Sequence, residues 1–169
     1  MRALRLDEIW WLVAPANPFK DQRSIAPYDQ RLQGAVELTA NHPYIHVSDL
    51  EQVIHSQRTV KTLRHLKKHM KHIDLVWIAG MDIVHHFHHW ENADQIVRTI
   101  PLAFFERPPL HQGTRRAALT QFAHIPQKRN AGSARHTLKA PRILVFRRRH
   151  TVNQSATALR NGARDATKG

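Results

Sequence analysis

An apolar run at residues 75–79 that ends at Gly80 and Asp82 constrains the fold of this chain more than any other feature of its sequence. It is followed by residues 83–90, where apolar side chains recur at helical spacing and Trp90 closes the segment. Proteins of the α/β class build nucleotide sites in this way, from a buried parallel strand, a tight turn and a helix N-terminus. In such a site Gly80 would let the backbone approach a ligand, Asp82 would cap the helix or bind a ribose hydroxyl, and Trp90 would stack on a ring. The same pattern also fits a plain strand-to-helix turn, in which Trp90 belongs to the core.

Segments with strand character and segments with helical spacing alternate along most of the chain. The predicted strands are residues 8–13, 44–48, 73–79, 101–106 and 143–146. The predicted helices are residues 27–40, 59–70, 83–90, 93–98 and 155–161. This alternation is typical of a parallel sheet with crossover helices, and we expect its first strand, residues 8–13, to be buried. A length of 169 residues fits a single domain over residues 1–169.

All of the net positive charge comes from the C-terminal third of the chain. Residues 107–164 contain 13 Lys and Arg and no Asp or Glu, and the remainder carries 13 basic and 13 acidic residues, which gives the formal net charge of +13. Such a block attracts phosphates or nucleic acid, or it is a solvated insertion in an enzyme of small molecules. Residues 108–142 are rich in Gly, Pro, Gln, Arg and Ala. We therefore interpret residues 108–142 as a basic, variable and partly disordered insertion, and we do not expect nucleic acid as the partner.

Composition excludes several kinds of site. The sequence has no cysteine, which removes disulfides and thiolate metal ligands and fits a reducing cytoplasm. No apolar run approaches the ~20 residues of a membrane span, and the N-terminal residues have no signal-peptide pattern. His85 and His89 could chelate one ion on a helix, but no acidic or cysteine cluster accompanies them. We therefore expect a cytoplasmic protein with no membrane anchor and no resident metal.

Three further segments combine polar and basic residues in ways that suit anions. Asn17 and Lys20 stand beside a prolyl turn, where they either bind a phosphate or simply shape the chain. Thr59 opens an amphipathic helix whose first amides suit a carboxylate, unless Thr59 is only the N-cap. Residues 155–160 place hydroxyl groups at a helix start and an arginine one turn later, which suits a phosphate or else an ordinary capped helix.

In their order and spacing, these segments and the turn at Gly80 resemble the bacterial nicotinate-nucleotide adenylyltransferases. Residues 77–82 are similar to the family's strand-Gly-x-Asp turn, and residues 87–90 to its Phe-His-x-Trp segment. Arg107-Pro108 matches an Arg-Pro that follows the next strand, and residues 155–160 resemble an Ile-Ser-Ser-Thr-x-Ile-Arg signature. The resemblance covers most of the chain and implies a Rossmann-like nucleotidyltransferase α/β domain.

The resemblance also implies a reaction and its ligands. The adenylyl group of ATP is transferred to nicotinate mononucleotide, which gives deamido-NAD and pyrophosphate in NAD biosynthesis, and Mg²⁺ accompanies the ATP. A phosphate-binding helix motif is expected at residues 151–164. The residues that the resemblance assigns to ATP are Gly80, Asp82, Ser155, Thr157 and Arg160. The residues that it assigns to the mononucleotide are Asn17, Lys20, Thr59, Trp90 and Arg107.

The chain departs from the family pattern in three respects. It has no Gly-x-Phe-x-Pro-x-His-x-Gly-His motif, so no catalytic residue is assigned and we expect the family's central first strand to be missing. Arg58 and Lys61 replace the family's Tyr and Asp, and Gln154 and Ala156 depart from the C-terminal signature. Two explanations compete, a true start of translation further upstream and a catalytically dead remnant. We expect the first, and we expect the 169-residue chain alone to be poorly folded and inactive. The alternative function is a basic nucleic-acid-binding protein on the same scaffold.

Overall fold

The structure, a computed structural model, describes residues 4–15, 25–106, 120, 122–129 and 138–146. Its strands are β1 (Ile9–Leu12), β2 (Ile45–Ser48), β3 (Trp77–Gly80), β4 (Leu102–Phe105), β5 (Gln127–Arg129) and β6 (Ile143–Phe146). Its helices are α1 (Tyr28–Thr39), α2 (Leu50–Val53), α3 (Thr59–His69), α4 (Val84–Phe87) and α5 (Ala93–Thr99), with a 3₁₀ turn (Met81–Ile83) before α4. No helix within these ranges is long and apolar enough to span a membrane.

The strands form two parallel sheets, which confirms the predicted α/β class. Strands β1 and β2 pair with each other, and the other four follow the order β3-β4-β6-β5. Every pair is parallel. Within the described residues β1 and β3 are each hydrogen-bonded to one neighbouring strand.

The larger sheet has apolar side chains on both faces. Phe104 of β4 belongs to the main core together with Leu63 of α3 and Phe87 of α4. The adjacent residue Ala103 points to the opposite face, where it packs with Leu144 of β6. Successive side chains of a strand alternate between faces, so a strand covered on both faces is apolar throughout. All four residues of β6 are buried, which explains its uninterrupted apolar sequence.

The amphipathic pattern of α3 is confirmed. Its buried residues include Val60, Leu63 and Leu66, which recur at intervals of three. Lys67 and Lys68 lie in its last turn, where cations interact favourably with the negative end of the helix dipole. This helix packs against α5 in the main core. The main core therefore holds α3 against the larger sheet.

Three boundaries or burial assignments predicted from the sequence are wrong. Strand β1 is not buried, because it lies in a sheet of two strands and leaves Trp10 and Trp11 45% and 42% exposed. Strand β3 begins at Trp77, whose amide bonds to the carbonyl oxygen of Pro101, and the earlier residue Ile73 is exposed. Pairing cannot extend back through Pro101, because proline has no amide hydrogen. The helix expected over residues 83–90 ends at Phe87, as described with the site below.

Part of the segment predicted as a loosely ordered insertion belongs to the fold. Phe122 and Ile125 are buried in the main core, at 3% and 4% exposure. Strand β5 (Gln127–Arg129) then pairs with β6. Because the periodicity of this segment is weak, the sequence pattern did not predict its two buried apolar residues or its edge strand. The remaining residues of 108–142 that lie outside the described ranges keep their interpretation as a prediction.

Candidate functional site

The candidate site lies at the edge of the larger sheet where its strands end. Gly80 is in register with Phe105, and Phe105 with Phe146, so β3, β4 and β6 end at the same level. The amide of Glu106 donates a hydrogen bond to the carbonyl oxygen of Phe146 at 3.0 Å, which extends the ladder by one residue. In parallel α/β sheets this carboxyl edge is where ligands bind. The turn at Gly80 is thus placed where a nucleotide site is expected.

The turn after β3 differs in detail from the sequence-based interpretation. Gly80 has φ −71° and ψ 148°, an extended conformation that any residue adopts. Asp82 is exposed within the 3₁₀ turn. Capping of the helix and binding of a ribose hydroxyl both stay predictions for Asp82. Backbone strain therefore does not require a glycine here, and close approach of a ligand to Gly80 stays a prediction.

Trp90 lies in a turn beyond α4 and packs against the main core. Its amide donates to the carbonyl oxygen of Phe87 at 3.0 Å. The Phe87 ring lies 5.2 Å from the Trp90 ring, and the Trp77 ring meets Trp90 edge-on at 6.4 Å. Trp90 is only partly buried, so its side chain both packs and reaches solvent. Asn92 follows in the left-handed region with φ 55°, which prevents a continuous helix from α4 into α5.

The N-terminus of α3 presents backbone amides. Arg58 is the N-cap and Thr59 the first helical residue, so the alternative in which Thr59 is merely the cap is wrong. The carbonyl oxygen of Arg58 accepts hydrogen bonds from the amides of Lys61 at 2.9 Å and Thr62 at 3.2 Å. The amides of Thr59 and Val60 have no acceptor among the described residues. Unpaired amides of this kind, at the positive end of an eleven-residue helix, attract an anion.

An ion pair brings this helix start next to the turn that carries Trp90. Arg58 pairs with Glu91, the residue after Trp90. Further along, α3 also contacts α5, because Arg64 donates a hydrogen bond to the side chain of Gln95. Thr59 and Trp90, assigned to one ligand from sequence, therefore lie on elements that the ion pair links. Glu91 was missed because its role depends on a partner far away in sequence.

The buried polar side chains of Glu51, Ser56 and Thr62 form hydrogen bonds at the N-terminus of α3. The hydroxyl of Thr62 donates to Oε1 of Glu51 at 3.0 Å. The Ser56 hydroxyl accepts a hydrogen bond from the amide of Arg58 at 3.2 Å. Burial raises the pKa of the Glu51 carboxyl, and the hydrogen bond from Thr62 opposes that rise. Apart from the polar character of these residues, no sequence pattern predicts this cluster.

Arg31 links residues just after β1 to residues just before α1 through side-chain hydrogen bonds. Its guanidinium donates to the carbonyl oxygens of Ala14 and Pro15, both at 2.7 Å, and to that of Ala26 at 3.0 Å. Asn17 and Lys20, assigned to the mononucleotide, lie between these residues in the sequence and outside the described ranges. Arg31 is a further residue that sequence reasoning missed. Its hydrogen bonds hold the end of β1 close to the start of α1.

The other predicted site residues also fall outside the described ranges. They are Arg107, Ser155, Thr157 and Arg160. Within the described ranges no group of three or more His, Cys, Asp or Glu is arranged to hold a metal ion. Of the predicted site residues, the structure therefore describes Gly80, Asp82, Thr59 and Trp90.

Parallel strands, a Gly-x-Asp turn at the carboxyl edge of the sheet and a helix start with unpaired amides are features that nucleotide-binding α/β proteins share. A family model described as cytidylyltransferase-like matches residues 2–162. A relative from Rhizobium johnstonii, a probable nicotinate-nucleotide adenylyltransferase, is 32% identical over 171 residues, which cover 96% of this chain and 81% of the relative. A protein of the same name from Parvibaculum lavamentivorans is 36% identical, with 95% of this chain and 79% of the relative covered. A third, from Methylorubrum extorquens, is 43% identical over 108 residues, 64% of this chain and 58% of the relative.

The chain belongs to the cytidylyltransferase-like family and is a nucleotidyltransferase. This confirms the family resemblance inferred from the order and spacing of the sequence segments.

Proposed function

We propose that this protein transfers the adenylyl group of ATP to nicotinate mononucleotide and so makes deamido-NAD. The names of its relatives support this reaction. The observation that carries the proposal is the Arg58–Glu91 ion pair, because it joins an anion-binding helix start to the segment of an aromatic side chain. A nicotinate group needs both partners, since it has a carboxylate and an aromatic ring. Thr59 and the first amides of α3 would bind the carboxylate, and Trp90 would stack on the pyridine ring.

The remaining assigned residues would bind the phosphates. Asn17, Lys20 and Arg107 would contact the mononucleotide phosphate as neutral and charged donors. Gly80 would admit the ATP close to the backbone and Asp82 would bind its ribose. The residues proposed for the ATP phosphates are Ser155, Thr157 and Arg160.

The reaction needs alignment and charge neutralisation. A phosphate oxygen of the mononucleotide attacks the α-phosphorus of ATP, a new P–O bond forms, and the bond to the bridging oxygen of the β-phosphate breaks. Pyrophosphate leaves with that electron pair and with the Mg²⁺ that entered as part of the ATP substrate. Such a transfer needs no covalent intermediate, because holding the two nucleotides in line and stabilising phosphate charge lowers the barrier. This agrees with candidate residues that are cations, hydroxyls and amides.

The test is a comparison of two acceptor nucleotides. We expect the protein, expressed from its complete reading frame, to release pyrophosphate from ATP with a higher kcat/KM for nicotinate mononucleotide than for nicotinamide mononucleotide. A carboxylate carries a full charge toward the α3 amides, and a carboxamide does not. An equal or higher kcat/KM for nicotinamide mononucleotide would show that the acceptor assignment is wrong. Salt-sensitive binding of nucleic acid without pyrophosphate release would favour the basic binding protein instead.

The ATP assignment has its own test. Arg160→Ala removes charge-assisted hydrogen bonds, and we expect a loss of about 2–4 kcal/mol of transition-state stabilisation in kcat/KM for ATP. Thr157→Ala removes one neutral hydroxyl and should cost about 1 kcal/mol. Unchanged kcat/KM for ATP in Arg160→Ala would leave this residue with a structural role only.

A further inference from the structure

The buried polar side chains of the described residues are gathered at one place. They are Glu51, Ser56 and Thr62, with exposures of 7%, 5% and 0%. Glu51 lies on α2, Ser56 in the connection after α2, and Thr62 in the second turn of α3. A buried carboxyl is costly unless it is hydrogen-bonded, so a fold that needed only packing here would be served by an apolar residue. The position of the cluster therefore calls for a reason beyond stability.

Hydrogen bonds from this cluster converge on the residue that caps α3. The Thr62 hydroxyl donates to Glu51 Oε1 at 3.0 Å and lies 3.4 Å from the carbonyl oxygen of Arg58. Ser56 Oγ accepts from the amide of Arg58 at 3.2 Å and is 3.3 Å from its carbonyl oxygen. The amide of Ser56 in turn donates to the carbonyl oxygen of Glu51 at 2.9 Å. The N-cap of α3 is thus held at both its amide and its carbonyl group.

We propose that Glu51 is a positioning residue for the carboxylate-binding amides of Thr59 and Val60. This inference rests on the proposed function. The hydrogen bond between Glu51 and Thr62 is directional, so it fixes the rotation of α3 about its axis, which apolar packing defines less sharply. With that rotation fixed, the first two amides of the helix keep a constant direction toward a ligand. Glu51 touches no substrate and acts through Thr62 and the backbone of Arg58.

A positioning role for Glu51 should affect the binding of the nicotinate carboxylate more than the binding of other ligand groups. Loss of the Glu51–Thr62 hydrogen bond should loosen the first turn of α3 and weaken its hold on nicotinate. The carboxamide of nicotinamide mononucleotide gains less from these amides and should lose less. ATP, which is assigned to the turn at Gly80 and to the C-terminal residues, should be unaffected. A residue that only stabilises the fold would weaken all three ligands together.

The experiment uses paired variants of both hydrogen-bond partners in the protein expressed from its complete reading frame. Thr62→Val removes the hydroxyl at nearly constant volume, and Thr62→Ser keeps it. Glu51→Ala removes the acceptor, and Glu51→Gln keeps a carbonyl oxygen that can accept from Thr62. The control is Leu66→Ala, which removes a buried side chain from the same helix one turn further along and leaves the cluster intact. Calorimetry then gives the Kd of nicotinate mononucleotide, nicotinamide mononucleotide and ATP for each variant.

We expect Thr62→Val and Glu51→Ala to raise the Kd of nicotinate mononucleotide roughly ten-fold, which is the effect of losing about one hydrogen bond in binding. The Kd of ATP should change by less than about two-fold in the same variants. Thr62→Ser and Glu51→Gln should restore tight binding. Hydrogen exchange of the Thr59 and Val60 amides should be faster in Thr62→Val and Glu51→Ala than in the wild type. It should be unchanged in Thr62→Ser and Glu51→Gln.

Two failures can be told apart. If the wild type binds nicotinate mononucleotide and Thr62→Val binds it equally well, the inference about Glu51 is wrong and the proposed function stands. The inference is equally wrong if Leu66→Ala reproduces the selective loss. If the wild type binds neither mononucleotide, the proposed function fails, and the inference fails with it.

Discussion

Arg58 and Glu91 form an ion pair between the N-cap of α3 and the residue that follows Trp90. Both side chains are substantially exposed, at 57% and 42%, so water and salt screen their attraction. Exposed pairs contribute about 0.2–1 kcal/mol to the free energy of unfolding. The pair is therefore a weak source of stability, and its main consequence is the distance that it sets between two parts of the candidate mononucleotide site.

A charge-reversal cycle tests that geometric role. Glu91→Arg places two cations side by side, and we expect it to raise the KM for nicotinate mononucleotide roughly three- to ten-fold, about 0.7–1.4 kcal/mol. The unfolding midpoint should change little, for the reason just given. Adding Arg58→Glu to Glu91→Arg reverses the pair and should recover most of the loss. If the double variant is no better than Glu91→Arg alone, the pair does not position the site.

The sequence was a good guide to elements whose pattern is local. The alternation of α1, β2, α3, β4 and β6 follows from residue spacing, and so does the buried face of α3. The turn at Gly80 was recognised for a similar reason, since an apolar run followed by Gly-x-Asp marks the end of a parallel strand. These features depend on neighbours within a few residues, which a single sequence contains.

Features that depend on distant partners could not be predicted. Strand β1 is apolar yet leaves Trp10 and Trp11 exposed, because burial is decided by which strands lie beside it. The helical spacing of Phe87 and Trp90 is real, but a turn satisfies it as well as a helix, with the Trp90 amide bonded to Phe87. The hydrogen bonds of Arg31 and the Arg58–Glu91 ion pair each join segments that are far apart in the chain. No local sequence pattern predicts such contacts.

Replacement of Trp90 separates its packing role from ligand stacking. Trp90→Ala removes the flat ring, and loss of a stacking partner costs about 1–3 kcal/mol, so the KM for nicotinate mononucleotide should rise at least several-fold. Trp90→Phe keeps an aromatic face and should lose much less. The matched control is Phe87→Leu, a fully buried neighbour of Trp90, which should lower the thermal midpoint through the core. A Trp90→Ala variant with a lower midpoint and unchanged KM would assign Trp90 to the core alone.

Gly80→Ala tests whether a ligand approaches the backbone after β3. Because Gly80 has an ordinary extended conformation, its backbone gives alanine no strain to overcome. We expect unfolding stability to be maintained, with kcat/KM for ATP reduced about ten- to a hundred-fold by displacement of the nucleotide. Gly34→Ala in α1 is the control, since an added methyl there meets nothing within 4 Å and should stabilise the helix by up to about 1 kcal/mol without affecting turnover. Full ATP turnover in Gly80→Ala would remove Gly80 from the ATP site.

The buried carboxyl of Glu51 makes stability depend on pH. Burial raises its pKa above the ordinary value of 4.5, so the folded state binds this proton more tightly than the unfolded state does. The favourable contribution is complete below the unfolded pKa and is lost as pH rises through the folded pKa. Glu51→Gln cannot ionise and still accepts from Thr62, so it lacks this dependence. We therefore expect the free energy of unfolding of Glu51→Gln, relative to the wild type, to increase as pH is raised from about 4 and then level off.

Thr62→Val provides the control for that measurement, because the Thr62 hydrogen bond opposes the rise in the Glu51 pKa. Its removal should raise the pKa of Glu51 further and extend the loss of stability to higher pH. Urea unfolding of the three proteins at a series of pH values gives the three curves, and the difference between the wild type and Glu51→Gln isolates the contribution of this one carboxyl. A difference that does not vary with pH would mean that Glu51 titrates alike in the folded and unfolded states, and that its burial beneath α3 does not perturb it.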